Sequence, residues 1–595
     1  MQIFSRRLQA IRTHMHEMGL SALIVPRADE YLGEYIPEHN ERLRWISGFT
    51  GSAGVVIVLR DSAAIFVDGR YTVQVRQQVP EDLFDILHLL EQPHVEWLAG
   101  KLKQGDRVGY DPRMHTLDWQ ETTLKTLQGA GQTLLEVPDN LVDRCWQDRP
   151  QPEVHGALLL ADQYTGRSSL DKRRVIGAAI AGQGADTALI FAADSVAWLL
   201  NIRGRDIPSL PLVLGYALLD ASGELVFFTN PRKIPGGFAT HVGEGVTVLD
   251  ESEAEGVFAQ QAGRKVLADP KTANAWCQLV LRRAGAELIA GDDPVLIPKA
   301  CKNATEVAGM RQAHIRDGVA ESRFLAWLDK EVAGGRLHDE AVLSDRLYEF
   351  RAEQELFREV SFATISAAAG NAAMCHYNHL NTTPASLQMD SVYLVDSGGQ
   401  YLDGTTDITR TVAIGDPGAE IRRMFTLVLK GHIALDQARF PEGTTGTQLD
   451  ILARQFLWQQ GYDYDHGTGH GVGCYLSVHE GPQRIAKTFN ATELKAGMVL
   501  SNEPGYYKDG AYGMRCENLL VVTEVGKVAD SGKKMLGFEP LTLAPFDRRL
   551  IEVDLLTDAE LQWVNSYHDK VFNTIGPLLE DDVLEWLRQA TLPLD

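Results

Sequence analysis

Four carboxylates and one imidazole, each set against apolar β-type sequence, are the residues of this chain whose types and spacing could do chemistry. Asp396 ends the apolar run of VYLVDSGG, and Asp407 opens DITRTV eleven positions later, with Gly398, Gly399 and Gly404 between them. Two β-type segments around a Gly-rich bend read as a hairpin over 392–414, whose arms can bring both acids to one point. Like charges that close repel unless a cation, a proton or an arginine intervenes. The plain alternative for this stretch alone is a pair of turn residues, a role Asp favours. Further on, YDYDHGTGHGVGCYLSVHEGP (462–482) holds His466, His470 and His479. The glycines around His470 argue for backbone packed close to a neighbour. Glu503 follows the apolar strand in VLSNEP, and Glu517 stands at the edge of another in MRCENLLVV. A charge in such a place is costly without a partner.

Asp396, Asp407, Glu503 and Glu517 together carry four negative charges, and His470 adds a neutral nitrogen donor. Two divalent cations balance that set. It has no cysteine, as a zinc finger requires, and the chain has no HExxH. Oxygen-rich ligation with one imidazole favours Mn2+ or Co2+ over a thiolate-seeking metal. Paired metals roughly 3.5–4 Å apart are a hydrolytic device, and such ions lower the pKa of a bound water toward about 7. A single Asp at a strand end more often caps a turn, and a lone His on an apolar face is more often a core residue. Five such residues, each at its own strand end or Gly-rich turn, favour the metal reading.

The elements that must position them lie in a chain of 595 residues, for which three or four domains are expected. Apolar content of 44% and charged content of 23% are ordinary for a globular protein, and the net charge of −23 argues against nucleic acid and anionic membrane as general partners. No run of 18 uncharged apolar residues occurs, so no membrane span is expected. The opening MQIFSRRLQAIRTHMHEMGL reads as an amphipathic helix, without the apolar core or cleavage site of a secretory leader. Six cysteines with no CxxC point to a reduced, cytoplasmic protein.

Residues 1–140 alternate helix-like and strand-like segments, with strands at Leu20–Val25, Val55–Leu59 and Ala63–Val67 and the alternation continuing through 83–90 and 97–102. After the polar, proline-bearing linker 147–153 the pattern restarts over 154–300: helix-like 170–183, then strand-like 188–191, 212–219 and 224–228. A weak internal duplication is the simplest account. GFTGSAG (48–54) fits neither phosphate-binding glycine pattern. Asp68-Gly69-Arg70-Tyr71 reads equally as a substrate-facing loop or a turn with a surface charge pair. Pro294 and Pro298 mark a second boundary, after which Asn303 and Glu306 cap a long helix to Glu331. In the tail, Thr557 and Glu560 box a helix with Leu561, Val564, Tyr567 and Val571 on one face. Nothing in the tail suggests chemistry, so it is expected to dock or dimerise.

The motifs VDSGGQYLDGTTDITRT, HGTGHGVG, SNEPGYY and MRCENLL, over roughly 303–525, resemble the pita-bread metallopeptidases, the M24 family of methionine aminopeptidase, prolidase and aminopeptidase P. In order they match the family's Asp, Asp, His, Glu, Glu ligand series. The resemblance implies an α/β and α+β multidomain chain: two creatinase-like N-terminal α/β domains (1–147 and 154–300), a pita-bread catalytic domain (301–537) and a C-terminal extension (538–595). That is the layout of the three-domain, cytosolic Xaa-Pro aminopeptidases. It implies hydrolysis of the bond between an N-terminal residue and a penultimate proline with two divalent cations, Mn2+ first, with Co2+ and Zn2+ as alternatives. Asp407 and Glu517 then bridge the ions, Asp396 completes one, and His470 with Glu503 completes the other. By the same resemblance His376, in MCHYNH, contacts the substrate near the scissile carbonyl, His479 helps stabilise the tetrahedral intermediate, and Glu503 moves the proton. His466 lines the proline side, while Arg515 and Tyr507 orient the ligands from behind. Arg70 is the remaining substrate-binding candidate; His379, Asp403 and Asp463 receive no role. A homodimer is implied as well. Two other readings stay open: a prolidase restricted to Xaa-Pro dipeptides, and a pita-bread module that binds peptides or partners without catalysis.

Overall fold

The computed structural model describes residues 2–595, which divide into two units. The first runs to Leu159 and includes Arg167–Pro208 and Leu212–Val295. Its first sheet has six strands in the order Asp85–His88, Ala63–Val67, Val55–Leu59, Ala22–Pro26, Arg107–Tyr110, Thr133–Glu136. The middle three pair antiparallel and the outer ones join parallel. Successive side chains leave opposite faces of a strand. Leu23, Val25, Val56, Val58 and Ile65 therefore pack with Leu8, Ile11 and Met15 of helix Gln2–Glu17, while Ala22, Ile24, Ile57 and Phe66 pack with Leu98 and Leu127 on the other side. With both faces covered, the strands read as unbroken apolar runs.

The second sheet of this unit runs Val246–Leu249, Leu225–Phe228, Tyr216–Asp220, Thr187–Ile190, Lys265–Ala268, Glu287–Ala290 and repeats the same series of parallel and antiparallel pairings. The duplication read from sequence is thus a duplication of topology. The strand expected at 212–219 starts only at Tyr216. Ahead of it the Leu214 N–H donates to the Asp206 carboxylate at 2.6 Å and so is withdrawn from the ladder.

The second unit comprises Leu160–Gly166, Ser209–Pro211 and Leu296–Asp595. Helix Ala304–Ala333 begins with the expected box: the Asn303 side chain accepts from the Thr305 and Glu306 N–H groups, and Glu306 accepts from the Asn303 N–H. Strands Ile365–Ala368, Ser391–Ser397 and Ile408–Ile414 form one antiparallel sheet. A six-stranded sheet runs Arg439–Pro441, Lys534–Pro540, Asn518–Lys527, Val499–Asn502, Gly469–Gly471, Glu480–Ile485. The 392–414 hairpin forms with Asp396 opposite Thr409, but the bend between its arms is itself a ribbon, strand Gly399–Tyr401 pairing with Phe357–Val360 in another sheet. The tail helix Asp558–Ile575 starts at the Thr557–Glu560 box. It buries Val564, Tyr567, Val571 and Ile575 in one core with Met424, Phe425, Met514 and Cys516, and Leu561 packs at the edge. Each such burial is worth roughly 1.5–3 kcal/mol, so the extension docks on the domain that carries the acidic cluster. Among the described residues no helix is long and apolar enough to cross a membrane, and none of the six cysteines forms a disulfide.

Candidate metal centre

Every one of the five donors stands in or beside a strand of the second unit. Asp396 is the penultimate residue of Ser391–Ser397, and Asp407 directly precedes Ile408–Ile414. His470 is central in Gly469–Gly471, Glu503 directly follows Val499–Asn502, and Glu517 lies between Tyr512–Arg515 and Asn518–Lys527. Register does the rest: Asp396 faces Thr409 in one sheet, while Gly471 pairs with Leu500 and Asn502 with Asn518 in the other. The two sheets meet where the Glu517 N–H donates to the Thr409 carbonyl at 3.3 Å and Thr409 Oγ1 donates to Glu517 Oε2 at 2.7 Å. The approach at His470 demands glycine, since a Cβ on Gly469 would stand 2.0 Å from the Ser501 carbonyl oxygen.

The donors converge. Ligand atoms of Asp407, His470 and Glu517 lie within 4.8 Å of one another. His470 Nε2 is 3.4 Å from Asp407 Oδ2 and 3.5 Å from Glu503 Oε1. Asp396 accepts from Arg515 Nη2 through Oδ2, while its Oδ1 is buried and has no hydrogen-bond partner among the described residues. Burial, reinforced by Asp396 and Glu503, pushes the Asp407 carboxyl up to about 6 even though His470 pulls the other way. Burial and the carboxylates of Asp407, Asp396 and Glu503 hold Glu517 well above its ordinary range. Burial disfavours a charged His470, but Asp407 and Glu503 outweigh it and raise the imidazole to about 9. Its Nδ1 donates to the Gly471 carbonyl at 2.9 Å, which leaves Nε2 facing the acids.

An uncancelled cluster of this kind holds protons or cations. The orphaned Asp396 oxygen, the four carboxylates and the oriented imidazole fit a pair of divalent cations in number, charge and hardness.

The supporting residues form a chain. Arg515 also donates to Thr409 Oγ1 (3.0 Å) and, through Nη1, to the Tyr507 hydroxyl (2.7 Å), which donates in turn to His466 Nε2 (2.8 Å). His466 Nδ1 donates to the Gly467 carbonyl, and burial with the nearby Arg515 charge pushes this imidazole down to about 3, so it stays neutral. His376 adds to that effect on His466. The His479 ring stands edge-on to His470, centroids 4.4 Å apart at 70°. Next to it Glu480 is buried between Lys299 and Lys302. Arg70 belongs to the first unit, where Asp68 accepts from its Nε and Nη2 and its guanidinium lies over the Tyr71 ring, the turn-with-charge-pair geometry.

Two residues that matter here escaped the reading of motifs. Glu340 is fully buried and accepts from Ala368 N, Asn371 Nδ2, Tyr377 OH and Ala385 N at 2.7–2.9 Å, tying down the segment that carries His376. An acid in the first turn of a helix is common, so its spacing announces nothing. Arg410 did leave a signal: a guanidinium in the middle of the apolar strand ITRTVAI must find partners inside.

Known proteins share this domain series and fold. The model of metallopeptidase family M24 matches residues 308–524, two creatinase/prolidase N-terminal domain models match 7–145 and 148–306, and the model of the C-terminal region of peptidase M24 matches 534–594. Aminopeptidase P1 of Lotus japonicus is 36% identical over 99% of both chains. A probable Xaa-Pro aminopeptidase P of Coprinopsis cinerea is 38% identical over 99% of this chain and 98% of its own. The chain belongs to metallopeptidase family M24. The crystal structure of an X-prolyl aminopeptidase from Caenorhabditis elegans, described as a cytosolic enzyme with a di-nuclear active site, matches this M24 chain with a TM-score of 0.95 at 33% identity over all of both chains. A Xaa-Pro dipeptidase from Bacillus anthracis, 22% identical with a TM-score of 0.50, shares the fold over 64% of this chain and 99% of its own.

Proposed function

We infer that this M24 chain is a dinuclear metal-dependent aminopeptidase that hydrolyses the bond between an N-terminal residue and a penultimate proline. The observation that carries the reading is the convergence of four carboxylates and one oriented imidazole that the surrounding protein does not neutralise. Asp407 and Glu517 are the central pair, Asp396 serves one cation, and His470 with Glu503 serves the other. The two cations, Mn2+ in our reading with Co2+ and Zn2+ as alternatives, supply Lewis acidity and water activation when bound.

The chain's own residues do the rest. Glu503, held by the Ser501 hydroxyl at 3.0 Å, takes the proton of the attacking water and returns it to the leaving proline nitrogen. That nitrogen carries no proton in the peptide, so a returned proton is required for it to leave as an amine. His376 and His479 donate to the scissile carbonyl oxygen as charge develops on it. Neutral His466, fixed by Tyr507 and Arg515, forms the wall of the proline pocket, and the substrate's free amine binds near Asp396. The protein works in the cytoplasm as a homodimer.

The test is metal-dependent release of the first residue from Arg-Pro-Pro, run beside Xaa-Pro dipeptides. Cleavage of the tripeptide, abolished by chelation and restored by Mn2+, supports the reading. Cleavage of dipeptides alone replaces it with prolidase, and a dialysed protein holding no metal replaces it with a binding module. Sedimentation of the loaded protein tests the dimer, and cell fractionation tests the compartment.

A further inference from the structure

Arg410 joins the acidic centre to the C-terminal extension. Along strand Ile408–Ile414, Thr409 and Thr411 turn toward Glu517 and Arg515, and Arg410, between them, leaves the opposite face. Its side chain is buried, at 2% exposure, and donates to six oxygens. Nη1 reaches the carbonyls of Thr409 (2.9 Å) and Glu517 (2.5 Å). Nη2 reaches Asn518 Oδ1 (2.8 Å), the Ala544 carbonyl (2.7 Å) and the Tyr567 hydroxyl (3.0 Å), and Nε reaches the Pro545 carbonyl at 3.1 Å. None of these six acceptors is a carboxylate, so they hold the cation by orientation and not by neutralising it. The guanidinium also lies over the Phe546 ring at 4.2 Å.

Half of those bonds go to the strand ends that carry the two central acids, and half go to the extension. Tyr567 closes the node: its ring stacks on Trp563 (5.2 Å, 2°), and its hydroxyl, 3.0 Å from each of the Thr542 and Ala544 carbonyls, donates to that pair while accepting from Arg410.

We propose that Arg410 and Tyr567 form a positioning latch, through which the C-terminal extension sets the spacing of Asp407 and Glu517 and so the affinity for the metal pair. The proposal rests on the assignment of those two acids as central ligands. Outer partners of metal ligands typically govern affinity by about 10–100-fold. The backbone at 409 and 517–518, held from behind by these bonds, is the means by which a residue that touches no metal acts on it.

The test uses the full-length, metal-loaded protein. Tyr567→Phe keeps the stacked ring and removes one acceptor and one donor; Arg410→Lys keeps the charge and removes the fork. Mn2+ binding by equilibrium dialysis should weaken by roughly 10-fold in Tyr567→Phe and toward 100-fold in Arg410→Lys. Circular dichroism should stay native, and the visible spectrum of the Co2+-loaded variants should shift. Excess Mn2+ should restore most of kcat, with KM little changed. Wild-type affinity and spectrum in a folded Tyr567→Phe overturn the latch, even if the melting temperature drops, because that is what a merely structural role predicts. If Arg410→Lys fails to fold, Tyr567→Phe decides alone. If the parent protein takes up no metal, the ligand assignment fails, and the latch fails with it for that separate reason.

Discussion

Two acid clusters, one in each unit, use the same kinds of side chain and come out differently. In the first unit the guanidinium of buried Arg42 binds Glu30 at 2.5 Å and Asp143 through Nε and Nη2, each at 2.7 Å, and Arg149 meets Asp143 at 2.7 Å. Two acids face two arginines there. Burial would push the Glu30 carboxyl up, yet Arg42 holds it below its ordinary range. In the second unit four acids and an imidazole share the single guanidinium of Arg515, and Asp407 and Glu517 rise. Burial alone does not mark a site, since Asp29 and Glu251 of the first unit are pushed up to about 6 and about 7, chiefly by burial. The mark is convergence of charge that the protein leaves uncancelled. A matched cluster fixes structure, and an unmatched one waits for cations.

The comparison can be broken most sharply at Asp407. Asp407→Asn should take turnover to background and lower the bound metal while the fold survives; activity equal to the parent's ends the ligand assignment. Arg42→Ala is the mirror experiment. It takes the hydrogen-bond partner from Glu30, leaves Asp143 with Arg149 alone, and should cost about 1–3 kcal/mol of stability, yet leave metal content per folded chain unchanged. An unaltered denaturation midpoint would remove the structural half of the contrast.

A pH titration sharpens it further. In the metal-free chain Asp407 rises from 3.8 to about 6 and His470 from 6.5 to about 9, so the folded state keeps protons that the unfolded state releases. Stability from this cluster therefore falls as pH rises, between about 4 and 6 for Asp407 and between about 6.5 and 9 for His470. Metal displaces those protons. The calorimetric gap between loaded and chelated protein should widen from pH 5 to pH 9, and a gap that narrows would contradict the cluster's electrostatics. The smallest effect belongs to Arg70→Ala. A partly exposed pair is worth about 0–1 kcal/mol, so stability should barely move, and KM for a Xaa-Pro-Yaa tripeptide should rise by no more than a few-fold at constant kcat. No rise in KM leaves the loop as the Asp68–Arg70 charge pair alone.

Local pattern carried much of this protein into view from its sequence. Unbroken apolar runs mark the strands of the duplicated sheets, because both faces of each are covered. Asn303 with Glu306, and Thr557 with Glu560, mark helix starts, because a cap satisfies backbone groups only a few residues away. The five candidate donors stand out in the sequence for the same reason: each interrupts apolar β-type sequence at a place where a charge needs a partner. What only the tertiary structure decided is which of these local features meet. Nothing in the spacing shows that 399–405 joins a different sheet from its flanking arms, that buried Glu340 holds the His376 segment, or that Tyr567 of an apparently passive tail bonds Arg410 behind the acids. Those are contacts between residues as far as 37 and 157 positions apart, set by sheet register and core packing. No periodicity within a single element encodes them.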